Sequence, residues 1–114
     1  MLSFGSTARV FIYASPTDMR CGFNKLSMLV NTYMGQDSLN GNLYVFFNRL
    51  KDKCKILFWD RSGYCIWYKQ LQAGTFRYQN KEDESSFEID ASTLLLILEG
   101  LDLSTAKQRK RFKR

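Results

Sequence analysis

An α+β fold, with an antiparallel meander sheet of about four to five strands and two helices, is the fold class this sequence predicts. Three observations carry it. Between Leu43 and Leu71, short β-branched and aromatic runs alternate with turn chemistry. Two further segments place apolar residues at helical spacing behind residues suited to helix starts. Finally, a chain of 114 residues with 45% apolar side chains and 15% aromatics has the material for one core of ordinary domain size. Residues 1–106 are expected to form a single domain and 107–114 a basic, disordered tail.

The elements follow in order. Arg9-Val10-Phe11-Ile12-Tyr13 is β-branched and aromatic and reads as a strand. Ser15-Pro16-Thr17-Asp18 reads as a helix start, with Ser15 as cap, Pro16 in the first helical position and Asp18 completing a capping box. Met19, Phe23, Leu26, Val30 and Tyr33 then form one helical stripe; Gly22 weakens its first turns and Gly35 ends it. Leu43–Arg49 and Lys55–Asp60 flank a charged turn, and Asp60-Arg61-Ser62-Gly63 joins the second strand to Tyr64–Leu71. These strands are apolar on both faces, a pattern that requires cover on both, by helices, another sheet or a partner. Phe87-Glu88-Ile89 reads as a last short strand. Asp90 caps a helix in which Leu94 to Leu98 are apolar nearly all round, so that helix is expected to be well buried until Gly100 stops it.

The formal charge of +6 is unevenly distributed. Residues 1–48 are net +1, 49–76 net +4, 77–106 net −5, and the last eight residues hold six cations and no acid. With no histidine there is no serine–histidine or cysteine–histidine catalysis and no histidine metal site. Cys21, Cys54 and Cys65 form no C-x-x-C pair, which suits free thiols in a reducing compartment. No apolar run approaches the ~20 residues of a membrane span, and no secretory signal opens the chain. The expectation is a cytoplasmic protein without membrane contact, metal or cofactor.

From Thr17 to Phe76 the chain resembles the small accessory proteins of insertion-sequence-66 transposons, encoded beside the transposase. The resemblance rests on Thr17-Asp18-Met19-Arg20 with Gly22-Phe23 and Leu26, and on Gly41-Asn42-Leu43-Tyr44-Val45-Phe46 with Asn48-Arg49. It continues through Lys55-Ile56-Leu57-Phe58-Trp59-Asp60 with Gly63, and Tyr68-Lys69 with Leu71, Gly74 and Phe76. Leu98-Glu99-Gly100-Leu101-Asp102 matches the family's closing helix. Lys69-Gln70-Leu71-Gln72 stands where members often read Lys-Arg-Leu-Glu, and Arg77-Tyr78 stands where a proline often follows. The resemblance implies a non-catalytic role in DNA transposition and recombination of a mobile element. Its implied partners are DNA, the transposase and the sister accessory protein.

Arg49, Lys51, Lys53 and Lys55 alternate along the first hairpin, with Arg61 on the next turn and Lys69 on the third strand. Two readings are open: cations for DNA phosphates, or lysines that keep a sheet edge soluble. Lys107, Arg109, Lys110, Arg111, Lys113 and Arg114 form the stronger electrostatic signal, a polyanion-seeking segment whose contacts carry no base code. Trp59, Trp67, Tyr64, Tyr68, Phe46 and Phe58 offer a stacking platform in principle, but aromatics in strands are far more often core. Tyr64 and Trp67 point to opposite faces, so at most one serves a common surface. Asp18, Asp37 and Asp60 share no strand or helical turn, which argues against a metal-dependent nuclease. The acidic stretch Glu82-Asp83-Glu84-Glu88-Asp90, together with the two-sided apolar strands, keeps a pure protein adaptor open as the alternative.

Overall fold

The computed structural model of the chain describes residues 7–81, 83–102 and 107–108. β1 (Val10–Tyr13) leads through a long connection into α1 (Phe23–Met28), which continues as a π-helical turn over Leu29–Tyr33. Next come β2 (Leu43–Phe47), β3 (Lys53–Asp60) and β4 (Gly63–Gln70), then β5 (Ser86–Ile89) and α2 (Ala91–Leu98). The five strands form one sheet in the order β4-β3-β2-β1-β5. β2-β3-β4 is the expected antiparallel meander. The sheet is nevertheless mixed, because β1 lies parallel to β2, with Phe11 opposite Tyr44. β5 closes the other edge antiparallel to β1.

Each face of the sheet is covered by one helix. Phe11, Tyr44, Phe46 and Leu57 pack against Leu26, Leu29, Val30 and Met34 of the first helical segment. Val10, Ile12, Val45, Phe47 and Ile56 pack on the opposite side against Leu94, Ile97 and Leu98 of α2, with Phe76 and Phe87 filling the same layer. All five residues of β2 are buried, so the cover that its two-sided apolar sequence requires is supplied within the chain. Cys54 sits in the α2-side core, where burial pushes its thiol well above the ordinary range.

The expected helix start at Ser15-Pro16-Thr17-Asp18 is not where the helix begins. The backbone there is spent on tertiary bonds: Ala14 N–H donates to the Ser85 carbonyl and Thr17 N–H to the Phe47 carbonyl, at 3.0 and 2.8 Å. The Asp18 carboxylate accepts from the Arg20 N–H in a local turn rather than capping. The helix starts behind Gly22, whose carbonyl accepts from Leu26 N–H. The stripe also shifts. Phe23 and Tyr33 are exposed, whereas Leu29 and Met34 are buried. The bond from Met34 N–H to the Leu29 carbonyl spans five residues, and this widened turn swings Met34 inward in place of Tyr33.

α2 begins as expected, with the Asp90 carboxylate accepting from Thr93 N–H at 2.8 Å. It is less enclosed than its composition suggests, since Leu95 and Leu96 are exposed on its outer side. Gly100 leaves the helix with φ +78°. Leu101–Asp102 and Lys107–Gln108 then pair as a two-stranded antiparallel ladder, β6 and β7. Leu101 and Asp102 thus follow α2 as a strand rather than as its last residues. Glu82, Arg109, Lys110, Arg111, Lys113 and Arg114 lie outside the described residues.

The π turn makes a direct prediction. Met34→Ala is expected to lower the unfolding free energy by about 2–5 kcal/mol in urea titration. Tyr33→Ala, at an exposed position, is expected to change it by less than about 0.5 kcal/mol. The regular stripe read from the sequence predicts the reverse order.

Candidate functional site

Two parallel neighbouring strands end at the same edge of a sheet, so the loops leaving them lie side by side. Here the segment after β1 and the turn after β2 meet in this way, clamped by the Thr17 N–H to Phe47 carbonyl bond. Between them opens a groove of about 720 Å³. One wall is Pro16-Thr17-Asp18-Met19-Arg20; the other is Asn48-Arg49-Leu50 with Lys53, and Tyr68 of β4 completes it. Crevices outside the carboxyl ends of parallel strands are a common place for ligands for this geometric reason.

Asn48 builds the second wall. Its side-chain amide donates to Asp52 at 2.7 Å, and its side-chain carbonyl accepts from the N–H groups of Asp52 and Lys53. The turn is braced from behind by two bonds, Leu71 N–H to the Asp52 carbonyl and Phe76 N–H to the Lys51 carbonyl, at 2.8 and 2.7 Å. Phe76 itself is buried against Phe47, 5.5 Å between ring centres. The two motif segments Asn48-Arg49 and Gly74-x-Phe76 therefore serve one rigid turn, with Gly74 at φ +75°.

The first wall is organised by an ion pair. The Arg20 guanidinium donates through Nε and Nη2 to both carboxylate oxygens of Asp18, the shortest contact being 2.6 Å. These hydrogen bonds hold the Asp18 carboxyl down at about 2, and the same pair raises Arg20. Thr17 is buried, and Met19 packs on the α1-side core. With Arg20, Arg49 and Lys53 against Asp18, the charged groups lining the groove sum to +2.

The remaining candidates are dispersed. Lys55 lies beside the groove, its Nζ donating to the Cys21 carbonyl at 2.8 Å and resting 4.9 Å from the Tyr68 ring centre. Lys51 adopts φ +58° at the turn, which carries it to the other face, 4.8 Å from the Tyr78 ring. Lys69 also faces away from the groove and donates to the Leu98 carbonyl at the end of α2, at 2.8 Å. Arg61 occupies the opposite hairpin, with φ +52°, roughly 23 Å along the strands from Lys53 by strand rise. Of the two strand readings, then, Arg49 and Lys53 gather with Arg20 while Lys51, Lys69 and Arg61 do not.

The aromatic residues divide similarly. Phe46 is core, Phe58 and Trp67 pack on the α2 side, and Tyr64 bonds Ser38 through its hydroxyl at 2.7 Å on the α1 side. Trp59 meets Tyr64 edge-on, near the hairpin that Asp60 and Gly63 close. Tyr68 is the exception, 49% exposed and part of the groove. Leu50, at 72% exposure, is a groove residue that sequence reasoning did not single out. Its only signal was an apolar residue at the tip of a charged turn.

Fold and groove together define a small α+β protein, with a helix on each sheet face and a positively charged crevice at the carboxyl end of its parallel strand pair. The chain belongs to the IS66 Orf2-like family, whose family model, described as IS66 Orf2 like protein, matches residues 8–108. That membership makes it a transposition-associated accessory protein, as the sequence motifs imply. The uncharacterized protein y4hO of Sinorhizobium fredii (strain NBRC 101917 / NGR234) is 35% identical over 102 residues, covering 90% of this chain and 88% of the relative. A second uncharacterized protein of that strain, y4jC, is 30% identical over 101 residues, covering 89% and 86%. No solved structure matches.

The ion pair fixes a titration. Asp18 is expected to titrate at about 2 by carboxyl NMR, and Arg20→Gln is expected to return it toward the usual carboxylate range. Because the folded value is depressed, the contribution of the pair is present above the usual carboxylate range and fades as pH falls toward 2. An unchanged Asp18 value in Arg20→Gln contradicts this arrangement.

Proposed function

We propose that the protein serves transposition without catalysing it, by holding nucleic-acid phosphates beside a separate transposase. The observation that carries this reading is the convergence of Arg20, Arg49 and Lys53 on one open groove, built from the segments that carry the family resemblance. Phosphate contacts position a protein on DNA without reading sequence. The cationic stretch Lys107–Arg114 adds further sequence-independent attraction and raises the encounter rate.

A catalytic reading finds less support. Asp18 is engaged by Arg20, Asp52 by Asn48, and Asp60 stands at the far hairpin. Among the described residues, no three histidine, cysteine, aspartate or glutamate side chains are grouped to hold a metal ion. Among the described residues, no helix is long and apolar enough to cross a membrane.

The adaptor reading loses part of its basis. The two-sided strands are covered by the chain's own helices, Glu88 pairs with Arg9 at 2.7 Å, and Asp90 caps α2. What favours a protein contact is the exposed pair Leu95 and Leu96 on α2. Contact with the transposase or the sister accessory protein through that side is compatible with a nucleic-acid groove elsewhere.

Salt titration of duplex binding tests the proposal. Arg49→Ala and Lys53→Ala are each expected to flatten the dependence of log affinity on log salt by about 0.9, whereas Arg61→Ala leaves it unchanged. Ending the chain at Ala106 is expected to remove about five from the slope at full engagement. No measurable binding by the full chain, with copurification of the transposase lost in Leu95→Ser, establishes the adaptor instead.

A further inference from the structure

Phosphate attraction accounts for three cations in the groove but not for its apolar half. Tyr68 and Leu50 expose about half and about three-quarters of their surface there, beside Met19 and Pro16. A duplex presents phosphates and sugars outward and keeps its bases stacked inside, so it offers such side chains no matching surface. A single strand turns its bases outward, and aromatic side chains beside cations are the usual means of holding them.

The tyrosine is placed for this task. Tyr68 stands directly opposite Lys55 in the β3–β4 ladder, and the Lys55 ammonium rests 4.9 Å from its ring centre while held by the Cys21 carbonyl. Tyr68 lines the groove and is about half exposed, so ring surface not covered by Lys55 is accessible there. Lys53, two residues along β3, is the diagonal neighbour of Tyr68, a separation of about 7–8 Å between backbones. Lys53 and Arg49 line the same groove as Tyr68, so a phosphate attached to a base on that ring enters a cationic surround. Asp18 does not oppose it, because Arg20 already neutralises that carboxylate and, with five N–H donors, retains others for an anion. The volume of about 720 Å³ lies within the ~300–1,000 Å³ of pockets for small organic ligands and admits a whole nucleotide, whereas a duplex meets the cations only with its backbone phosphates at the rim.

We infer that the groove between the Pro16–Arg20 segment and the Asn48–Lys53 turn takes an unpaired nucleotide of a single strand, with phosphate on Arg49 and Lys53 and base on Tyr68. This rests on the phosphate-binding reading above and narrows it to strands that have left the duplex.

Fluorescence anisotropy with the full chain tests it, using a labelled thymidine oligonucleotide of about 12 nucleotides and a random-sequence duplex of the same length. The single strand is expected to bind more tightly than the duplex. Tyr68→Ala is expected to weaken single-strand binding roughly five- to 150-fold with little effect on the duplex, and Tyr68→Phe to retain the preference. Leu50→Ser, at an exposed turn position, is expected to lower single-strand affinity selectively and carries the test if Tyr68→Ala loses its fold. Equal affinity for the two probes, or a single-strand preference that survives both substitutions, overturns the inference and leaves phosphate binding standing. Failure to bind either probe overturns both.

Discussion

A strand whose every side chain is apolar cannot sit at a surface, and β2 is such a strand. Leu43, Val45 and Phe47 point to one face and Tyr44 and Phe46 to the other, all buried. Burying each large side chain contributes roughly 1.5–3 kcal/mol, so the sheet gains most when both faces are covered. One helix from each side of the meander in sequence does this, α1 with its π turn above and α2 below. Covering the first face also fixes how β1 joins the sheet. A helix between two strands returns the chain to run parallel with the first, and β1 accordingly pairs parallel with β2.

That parallel pair has a functional consequence. In a pure meander, neighbouring strands end at opposite edges and their loops are separated. Because β1 and β2 end together, the Thr17–Arg20 segment is brought against the Asn48-Arg49 turn, and the Thr17 to Phe47 bond locks them. Asn48 satisfies the turn's backbone donors, while the 71–76 segment buttresses it from behind. The result is a fixed crevice whose cations come from two places in the sequence and whose aromatic wall comes from a third. Charge alone did not choose these residues. Lys51 and Lys69 are lysines like Lys53, but a left-handed turn residue and strand alternation send them to the other face.

Much of this was legible beforehand, where local rules act alone. The meander, the Asp90 cap, the glycine stops at Gly35 and Gly100 and the two-faced cover requirement all follow from residues close in sequence. Structure departs from local pattern where a distant partner or tertiary packing takes over from neighbouring residues. Ser15-Pro16-Thr17-Asp18 has good helix-start chemistry, but Thr17 N–H finds the Phe47 carbonyl, 30 residues away, and with the backbone so held Asp18 closes a local turn with Arg20 instead of capping. The parallel register of β1 left no local mark, since it is set by which face the first helix covers. The π turn that exchanges Tyr33 for Met34 is likewise a packing outcome. Tyr68 looked like any strand aromatic because its exposure depends on its place at the sheet's open edge, beside a groove that no single segment contains.

Backbone amide NMR of the full chain, titrated with a short thymidine oligonucleotide, tests the central claim most directly. If the crevice at the carboxyl ends of β1 and β2 is the nucleic-acid surface, the largest shifts fall within residues 16–20, 48–53 and around Tyr68. The hairpin at Arg61 and the outer side of α2 remain unchanged. Shifts concentrated at Arg61 or on α2, with the crevice silent, contradict the account.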